Sequence, residues 1–467
     1  MTERKKYDAV FAGRSLSSLA AAAALAKRGR SVLLLTGTDV NAPSSLFRFA
    51  QGPLLYFGFE EGGAMEGFFS ELPLPIPSLR KEGFLFKRAV SFLQIVQSQH
   101  RVDLSSQNEE YLDELKREFG PQLQKIKSFF QEIEKETLAL SPYLGRFSQV
   151  EIHGLVDRLG AWKQEFDFQR AIQSYKKKSA PEFLAPFAFD EEFLEYLDLQ
   201  SLFAFRKPLA EISTFDLILL MWSLSKGGVR MVGGASTLIA FFIKIIKGWG
   251  GEVVADKTIT QVETKGKRIE EIILEDGTRL STKHLVVVQP PPSSTIHFYF
   301  TLRNDSIPSP MKESLLMTWG EEIPADVQDL LVLRLSLPEE EEGFAAGLRA
   351  LVVTALFRPG VEITEDRIEA LRKGVLNRLQ WLMPFSKSQI EAVAGTGSKR
   401  ALPPSLETVL AEWSGRSREI SKGTWSFLQP KDVKNVVLLK DDLSDHLAWG
   451  SSFLAATSLS QAVEQGL

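Results

Sequence analysis

The sequence predicts an α/β fold with two domains, and three observations predict it. The chain has 467 residues, more than one hydrophobic core usually organises. Its first 36 residues have the pattern of a strand, a tight turn, a helix and a strand, and another buried-strand pattern occurs near the end, at Asn435–Leu439. Between these parts lie a long helical stretch and a strand-rich stretch. We therefore expect one domain assembled from separated segments, with a second domain inserted into it.

The N-terminal unit is a βαβ pattern. Tyr7–Ala12 is a short apolar run that ends at Gly13. Leu16–Arg28 is rich in alanine and leucine, which favours a helix, and Gly29 stands where glycine commonly ends one. Ser31–Leu35 is a continuous apolar run, as is typical of a parallel strand buried on both faces. These segments predict a Rossmann-like unit.

The middle of the chain has helical patterns. Residues 79–146 carry Lys, Glu, Gln and Phe at helical spacing, which predicts two or three amphipathic helices broken near Gly120–Pro121. A further helical block is expected over about residues 156–224. This stretch is expected to form the helical part of the second domain.

Strand patterns return in the second half, at Glu252–Val254, Ile259–Thr264, Ile269–Leu274 and Leu285–Val288. Asp276–Gly277 predicts a hairpin turn. Residues 293–357 are also expected to be rich in strands, with a solvated acidic turn at Glu339–Glu342. Helices are predicted over Glu365–Leu382 and from about Gly450 to Gln465.

These patterns divide the chain into five segments. The predicted nucleotide-binding domain consists of residues 1–75, 225–292 and 421–467. Residues 76–224 are the predicted helical insert of the second domain, and residues 293–420 are its predicted sheet and helix.

The turn after the first strand is the segment that could bind a dinucleotide. In the pattern G-x-G-x-x-G, glycines let the backbone approach a pyrophosphate at the positive end of a helix. The aligned residues here are Gly13-Arg14-Ser15-Leu16-Ser17-Ser18, so only the first glycine is present. The acidic residue expected at the end of the second strand, which would bind ribose hydroxyls, is Thr36. Two interpretations stay open: a lost site, or contacts to phosphate from Arg14 and the serine hydroxyls.

Several blocks along the chain carry a resemblance to a known family, and they are Asp8–Thr36, the FAQGP segment at Phe49–Pro53, Gly227–Val262, Leu285–Gln289 and the NVVLLKD segment at Asn435–Asp441. In order and spacing they resemble the superfamily of FAD-dependent amine oxidases and phytoene desaturases. The resemblance implies a Rossmann-like FAD/NAD(P)-binding domain built from discontinuous segments, plus a second domain of mixed α+β structure for the substrate.

The resemblance also implies positions for a cofactor. Arg14 and Ser15 would contact the pyrophosphate together with Gly13. Gly52 would lie near the flavin ring, and Gly233 and Gly234 would begin a helix. Ile259 would touch the adenine, Asp441 would contact the ribityl or phosphate side, and Gly450 would belong to the flavin-facing turn. The chain departs from the family at Ser15, Ser18, Thr36 and Lys440, which indicates weakened, altered or lost FAD binding.

Composition excludes several other kinds of site. The chain has no cysteine, so disulfides, thiolate nucleophiles and cysteine metal sites are excluded. Its five histidines do not fall at metal-ligand spacings, and His284 is predicted to be an edge residue. The formal net charge of −4 argues against nucleic acid as a partner. No uncharged apolar segment reaches about 18 residues, the length of a transmembrane helix. We expect a cytoplasmic protein without a bound metal, and peripheral contact with a membrane stays open.

Two hypotheses about function follow. The first is a flavin-dependent oxidoreductase that transfers hydride from an apolar small molecule to FAD. The second is a non-catalytic pseudoenzyme that keeps the scaffold as a binding or assembly module and has lost FAD binding. The sequence identifies neither the substrate nor the catalytic residues, and it leaves the oligomeric state open.

Overall fold

The structure is a computed structural model, and it describes residues 5–36, 52–59, 64–72, 74, 76–81, 83–144, 170, 172–255, 257–289, 295–320, 323–340, 347–386, 390–398, 417–422, 425–440, 447–448 and 451–465. Its strands are β1 Lys5–Ala12, β2 Val32–Leu35, β3 Leu55–Tyr56, β4 Phe86–Arg88, β5 Ser91–Val96, β6 Arg101–Ser105, β7 Val229–Met231, β8 Glu252–Val254, β9 Ile259–Lys265, β10 Arg268–Leu274, β11 Arg279–Gln289, β12 Thr295–Arg303, β13 Ser314–Met317, β14 Val327–Leu335, β15 Leu348–Phe357, β16 Ile390–Ser398, β17 Ser417–Lys422, β18 Trp425–Pro430, β19 Val436–Lys440 and β20 Leu447–Ala448.

The helices within the described residues are α1 Leu16–Lys27, α2 Ala64–Glu71, α3 Ile76–Lys81, α4 Asn108–Phe119, α5 Leu123–Leu144, α6 Ala180–Leu184, α7 Glu191–Phe205, α8 Thr214–Lys226, α9 Gly234–Gly248, α10 Glu365–Leu382 and α11 Ser451–Gln465. The helix predicted over Glu365–Leu382 is confirmed with its bounds, and its N-cap is Thr364, whose side chain accepts a hydrogen bond from the N–H of Arg367.

The largest sheet joins segments that are far apart in the sequence. Its order is β17-β18-β19-β11-β1-β2-β8, and β9 and β10 extend it from β11. β1, β2, β8, β11 and β19 run parallel, with Ala9 beside His284 and Leu285 beside Val436. The predicted turn at Asp276–Gly277 is confirmed, since the N–H of Gly277 donates to the carbonyl of Leu274 at 2.9 Å between antiparallel β10 and β11.

Both faces of this sheet are covered. Side chains alternate between the two faces along each strand, so the parallel strands contribute to two cores. Phe11, Leu34 and Val286 pack against α1, α9 and α11 on one face. Val10 and Leu285 belong to the core on the other face, which includes β9 and β10.

A second sheet has the order β16-β12-β15-β14-β13-β5-β6. Some buried side chains of this sheet form a core with helices α4 to α8. Other buried side chains of the sheet form a second core with α10. A smaller sheet, β20-β3-β7-β4, includes Tyr56 beside Val229. This is the α/β fold that the sequence predicts, and the five segment boundaries stay a prediction.

The structure corrects two expectations about the sequence. Residues 79–146 are not helical throughout, because β4, β5 and β6 precede α4. Phe92, Leu93 and Ile95 are buried within the second sheet, where β5 pairs with β13, so tertiary partners decide the structure of this short apolar run. The acidic turn at Glu339–Glu342 is not solvated throughout either, because the side chain of Glu340 is only 4% exposed.

Candidate cofactor site

Gly13 is placed directly after β1, beside the end of β11. Its φ of +102° is a backbone conformation that favours glycine. A Cβ at this position would lie 2.8 Å from the Cβ of Val288. Its N–H donates to the carbonyl of Leu35 at 2.9 Å, which connects the turn to β2. Local packing therefore requires glycine here, whether or not a ligand is bound.

Ser15 and Ser18 form a capping box at the start of α1. The N–H of Ser18 donates to Ser15 Oγ at 3.0 Å, and the N–H of Ser15 donates to Ser18 Oγ at 2.8 Å. The Ser18 hydroxyl in turn donates to the carbonyl of Ser15 at 3.0 Å. Both side chains are fully buried. Two N–H groups at this end of the helix are thus bonded within the turn itself.

This turn does not fit a pyrophosphate bound in the usual way. In such a site a glycine lets the backbone approach the pyrophosphate, and N–H groups of the helix N-terminus face it. Ser15 replaces that glycine, and the capping box takes up the N–H groups of Ser15 and Ser18. Thr36, at the end of β2, is buried and neutral where an acidic side chain would bind ribose hydroxyls.

The remaining predicted residues of this half of the site lie apart or outside the described chain. Arg14 is half-buried in the turn, and its contact with phosphate stays a prediction. Ile259 is buried in a core with Leu35. Its position beside an adenine also stays a prediction. Asp441 and Gly450 lie outside the described residues.

Gly52 and the Gly233–Gly234 pair are brought together at the start of α9. Gly52 has a φ of +91°, and a Cβ there would overlap the Cβ of Ala235. Gly233 is the N-cap of α9 with a φ of +76°, and a Cβ there would overlap Oγ1 of Thr237. Gly52 therefore lets the segment before β3 pack directly on the first turn of α9, and Gly233 leaves room for the side chain of Thr237 in that turn.

Glu340 lies in the turn Pro338–Glu340, which follows β14 of the second sheet, and it binds the N-terminus of α9. Its Oε1 accepts from the N–H of Gly233 at 2.9 Å, and its Oε2 accepts from the N–H of Leu337 at 2.8 Å. Arg334 Nη2 donates to Oε1 at 3.3 Å, and Arg230 Nη2 lies 3.6 Å from Oε2. A carboxylate at a helix N-terminus is favoured by the N–H groups and by the helix dipole.

Arg230 and Arg334 make this cluster a buried one with excess positive charge. Arg230 donates to the carbonyl of Leu335 at 2.9 Å, and Arg334 approaches the carbonyl of Pro53 at 3.4 Å. Burial and the positive charge of Arg334 lower the pKa of Arg230, and Glu340 opposes them, with the result that this pKa is about 9. We call Arg230, Arg334 and Glu340 the interdomain charge cluster.

The interdomain charge cluster was not predicted from the sequence. A single arginine inside each of two apolar strands, VRM in β7 and LLVLRL in β14, was a usable signal, because a buried arginine needs acceptors. Its partner Glu340 could not be identified, since it lies in an acidic run whose members look alike in sequence.

Three further expectations can be compared with the structure. His284 is not an edge residue: it lies in the central strand β11 and its side chain is 3% exposed. Within the described residues, no group of His, Asp and Glu side chains is arranged to hold a metal ion. Among the described helices, none is long and apolar enough to cross a membrane.

Comparisons with known proteins support the fold. No family model matches the chain. A phytoene desaturase (lycopene-forming) from Pantoea ananas is 33% identical over 101 residues, and the match spans 21% of this chain and 20% of that protein. The sequence likeness thus covers about a fifth of each chain.

Solved structures match over nearly the whole length. An oxidoreductase from Methanosarcina mazei has a TM-score of 0.56 at 12% identity, covering 98% of this chain and 100% of that one. A triple mutant of putrescine oxidase, made in a redesign of cofactor binding, has a TM-score of 0.56 at 13% identity and covers 98% of both chains. A Rab GDI from Plasmodium falciparum has a TM-score of 0.53 at 12% identity, covering 99% of this chain and 98% of that one.

Proposed function

We propose that this chain is a non-catalytic binding or assembly module. It has the fold of the FAD-dependent amine oxidases and phytoene desaturase-like oxidoreductases and keeps that fold as a scaffold. The observation that carries the proposal is the capping box of Ser15 and Ser18. It bonds two N–H groups of the α1 N-terminus internally, where a dinucleotide would need them.

Two further observations support this proposal. Thr36 offers a neutral hydroxyl where a carboxylate would bind ribose. The Rab GDI shares this fold over nearly its whole length, and its name does not describe an oxidoreductase. The scaffold is therefore compatible with a role other than redox chemistry.

The second candidate is a flavin-dependent oxidoreductase acting on an apolar small molecule. The sequence match to a phytoene desaturase favours it, as does the packing of Gly52 on Ala235, next to the Gly233–Gly234 pair. FAD would supply the hydride acceptor. Gly13, Arg14 and Ser15 would bind its pyrophosphate, Ile259 its adenine and Gly52 its ring, and Asp441 and Gly450 would complete the site.

The visible absorbance spectrum of the purified protein separates the two candidates. If the protein is a binding module, we expect no flavin absorbance after gel filtration and no uptake of added FAD, measured by the quenching of flavin fluorescence. Stoichiometric flavin that stays with the protein through gel filtration would overturn the proposal and support the oxidoreductase.

A triple variant tests whether the capping box and Thr36 prevent FAD binding. Ser15→Gly, Ser18→Gly and Thr36→Glu together free the N–H groups and restore the ribose-binding acid, so FAD affinity should rise at least about tenfold, a change of ~1.4 kcal/mol. Ser128→Gly is the control, because this exposed serine of α5 bonds only to Gln124 within its helix. If the triple variant melts like the wild type and gains no affinity, the capping box is not the cause.

A further inference from the structure

A cavity of about 500 Å³ opens at the edge of the large sheet opposite to the Gly13 turn. It lies where β1, β10 and β11 begin, beside the residue that precedes β19 and the end of α11. Its volume is in the range of pockets that bind small molecules, about 300 to 1,000 Å³. None of the residues predicted to hold a cofactor lines it. It is therefore a separate candidate site.

The charges that line this cavity do not balance. Four cations and three carboxylates face it, namely Arg30, Lys265, Arg268, Lys283, Asp8, Glu270 and Glu464. Each carboxylate has a cationic partner in the lining: Asp8 lies 2.7 Å from Lys283, Glu464 lies 3.4 Å from Arg30, and Glu270 lies 3.8 Å from Lys265. Glu464 also pairs, at 3.1 Å, with Arg28, which lies outside the lining. One of the four lining cations therefore has no carboxylate partner in the lining.

Arg268 is that uncompensated cation. Its guanidinium makes no ion pair within 4.0 Å among the described residues, whereas its backbone is fixed at the start of β10 by pairing with Lys265. A guanidinium presents N–H groups in a planar arrangement that matches a carboxylate with two parallel hydrogen bonds. A single negative charge at this place would balance the lining.

His284 forms the buried wall of the same cavity. Its Nδ1 is buried and has no hydrogen-bond partner among the described residues. Burial, together with the positive charges of Arg268 and Lys283, lowers the pKa of His284 to about 4. At neutral pH the imidazole is therefore uncharged and is available as a hydrogen-bonding group beside Arg268.

We propose that this cavity binds a small monocarboxylate, with Arg268 pairing with the carboxylate and His284 forming the polar wall beside it. A monoanion suits the site because the residues that line the cavity carry one excess positive charge, whereas a phosphate dianion would exceed it. The proposal does not depend on whether the protein binds FAD, because this site lies at the opposite edge of the sheet.

The first test uses benzoate as the probe, with full-length protein and ligand-observed NMR. We expect saturable binding to the wild type, and Arg268→Ala should weaken it at least about tenfold because a charge-assisted hydrogen-bonded pair is lost. Arg268→Lys keeps the charge without the planar group and should fall between the two. The matched control is Arg303→Ala, because Arg303 is an exposed arginine of β12 that pairs with Asp305. This variant should bind benzoate like the wild type.

The ligand chemistry is tested with benzamide and inorganic phosphate. Benzamide lacks the charge and should not bind measurably, and phosphate should bind more weakly than benzoate. Equal binding of benzamide, or tighter binding of phosphate, would contradict a monocarboxylate site. The absence of saturable benzoate binding would overturn the site itself.

The titration of His284 gives an independent readout. A bound carboxylate beside the imidazole stabilises its protonated form, so the pKa of His284 should rise from about 4 when benzoate binds. Histidine NMR signals followed over pH, with His284→Asn to assign the signal, measure this shift. An unchanged pKa in the saturated complex would show that benzoate binds elsewhere and would overturn the assignment.

Discussion

At the scale of single residues, Gly13 meets two constraints that have nothing to do with a ligand. Its φ is positive, and the space where a Cβ would point is filled by Val288. Gly29 after α1 also has a positive φ, of +72°, but a Cβ there would meet nothing within 4 Å. The two glycines therefore separate the cost of backbone strain from the cost of crowding.

We expect Gly13→Ala to lower the free energy of unfolding by about 2–5 kcal/mol, because strain and overpacking add. Gly29→Ala should cost about 1–2 kcal/mol from strain alone. Chemical denaturation monitored by circular dichroism measures both. Adding Val288→Ala should reduce the cost of Gly13→Ala in a double-mutant cycle. Equal losses for the two glycines, or no coupling to Val288, would contradict the packing explanation.

At the scale of elements, the interdomain charge cluster joins α9 of the large sheet's layer to β14 of the second sheet. Glu340 contacts both elements, and removing one partner of a buried charge pair leaves the other charges uncompensated. Its neighbour Glu339 also pairs with a cation, Lys87, but that pair is exposed, with side chains 38% and 44% accessible.

Glu340→Ala should therefore lower the free energy of unfolding by about 3–5 kcal/mol, as is typical of a broken buried pair. Glu339→Ala, the adjacent control, should cost at most about 1 kcal/mol, because exposed ion pairs contribute little. Urea unfolding of both variants at the same ionic strength checks this. A similar cost for the two substitutions would show that burial of Glu340 does not matter.

Local signals were sufficient for some elements and insufficient for others. Helix α10 could be predicted to its bounds because its cap, Thr364, and its periodicity are contained in one stretch of sequence. Strand β5 could not, because its short segment SFLQIV has no clear period, and its burial in the sheet depends on pairing with the distant β13 as well as with β6. Length and composition do not identify such a distant partner.

The candidate site shows the same division. Gly13, Ser15 and Thr36 could be singled out from a motif, but the reason for Gly13 is Val288, which is distant in sequence. Glu340 acquires its role from Gly233 and Arg334, and His284 lies inside the large sheet because Ala9 of the distant strand β1 pairs beside it. Contacts between distant segments therefore decide what these residues do.

At the scale of the whole molecule, the last described segments complete the large sheet and its helical layer. β19 lies between β18 and β11, and its residues Val436, Val437 and Leu438 are almost completely buried. α11 adds Ala456 and Leu459 to the core that contains α1. Each large apolar side chain contributes about 1.5–3 kcal/mol when buried, so together they rival the total stability of a domain, about 5–15 kcal/mol.

We expect a fragment of residues 1–430 to lack a cooperative unfolding transition, because its sheet and helical layer lose these contacts. When residues 431–467 are co-expressed with this fragment, the two fragments should associate and unfold cooperatively, because the cut falls in an exposed turn before β19. Thermal unfolding by circular dichroism and copurification of the fragments test this. A cooperative transition of the 1–430 fragment near that of the full chain would contradict the expectation.

The position of β19 in the large sheet also sets the order of events during synthesis. A ribosome releases β1 and β2 early, but β11, the strand between β1 and β19, emerges much later, and β19 later still. Until then the apolar faces of α1 and β1 have no complete partner, and pairing such distant segments is slow. The apolar faces of α1 and β1 therefore stay partly uncovered from the synthesis of β2 until that of β19, and during this interval a chaperone would have the most apolar surface to bind.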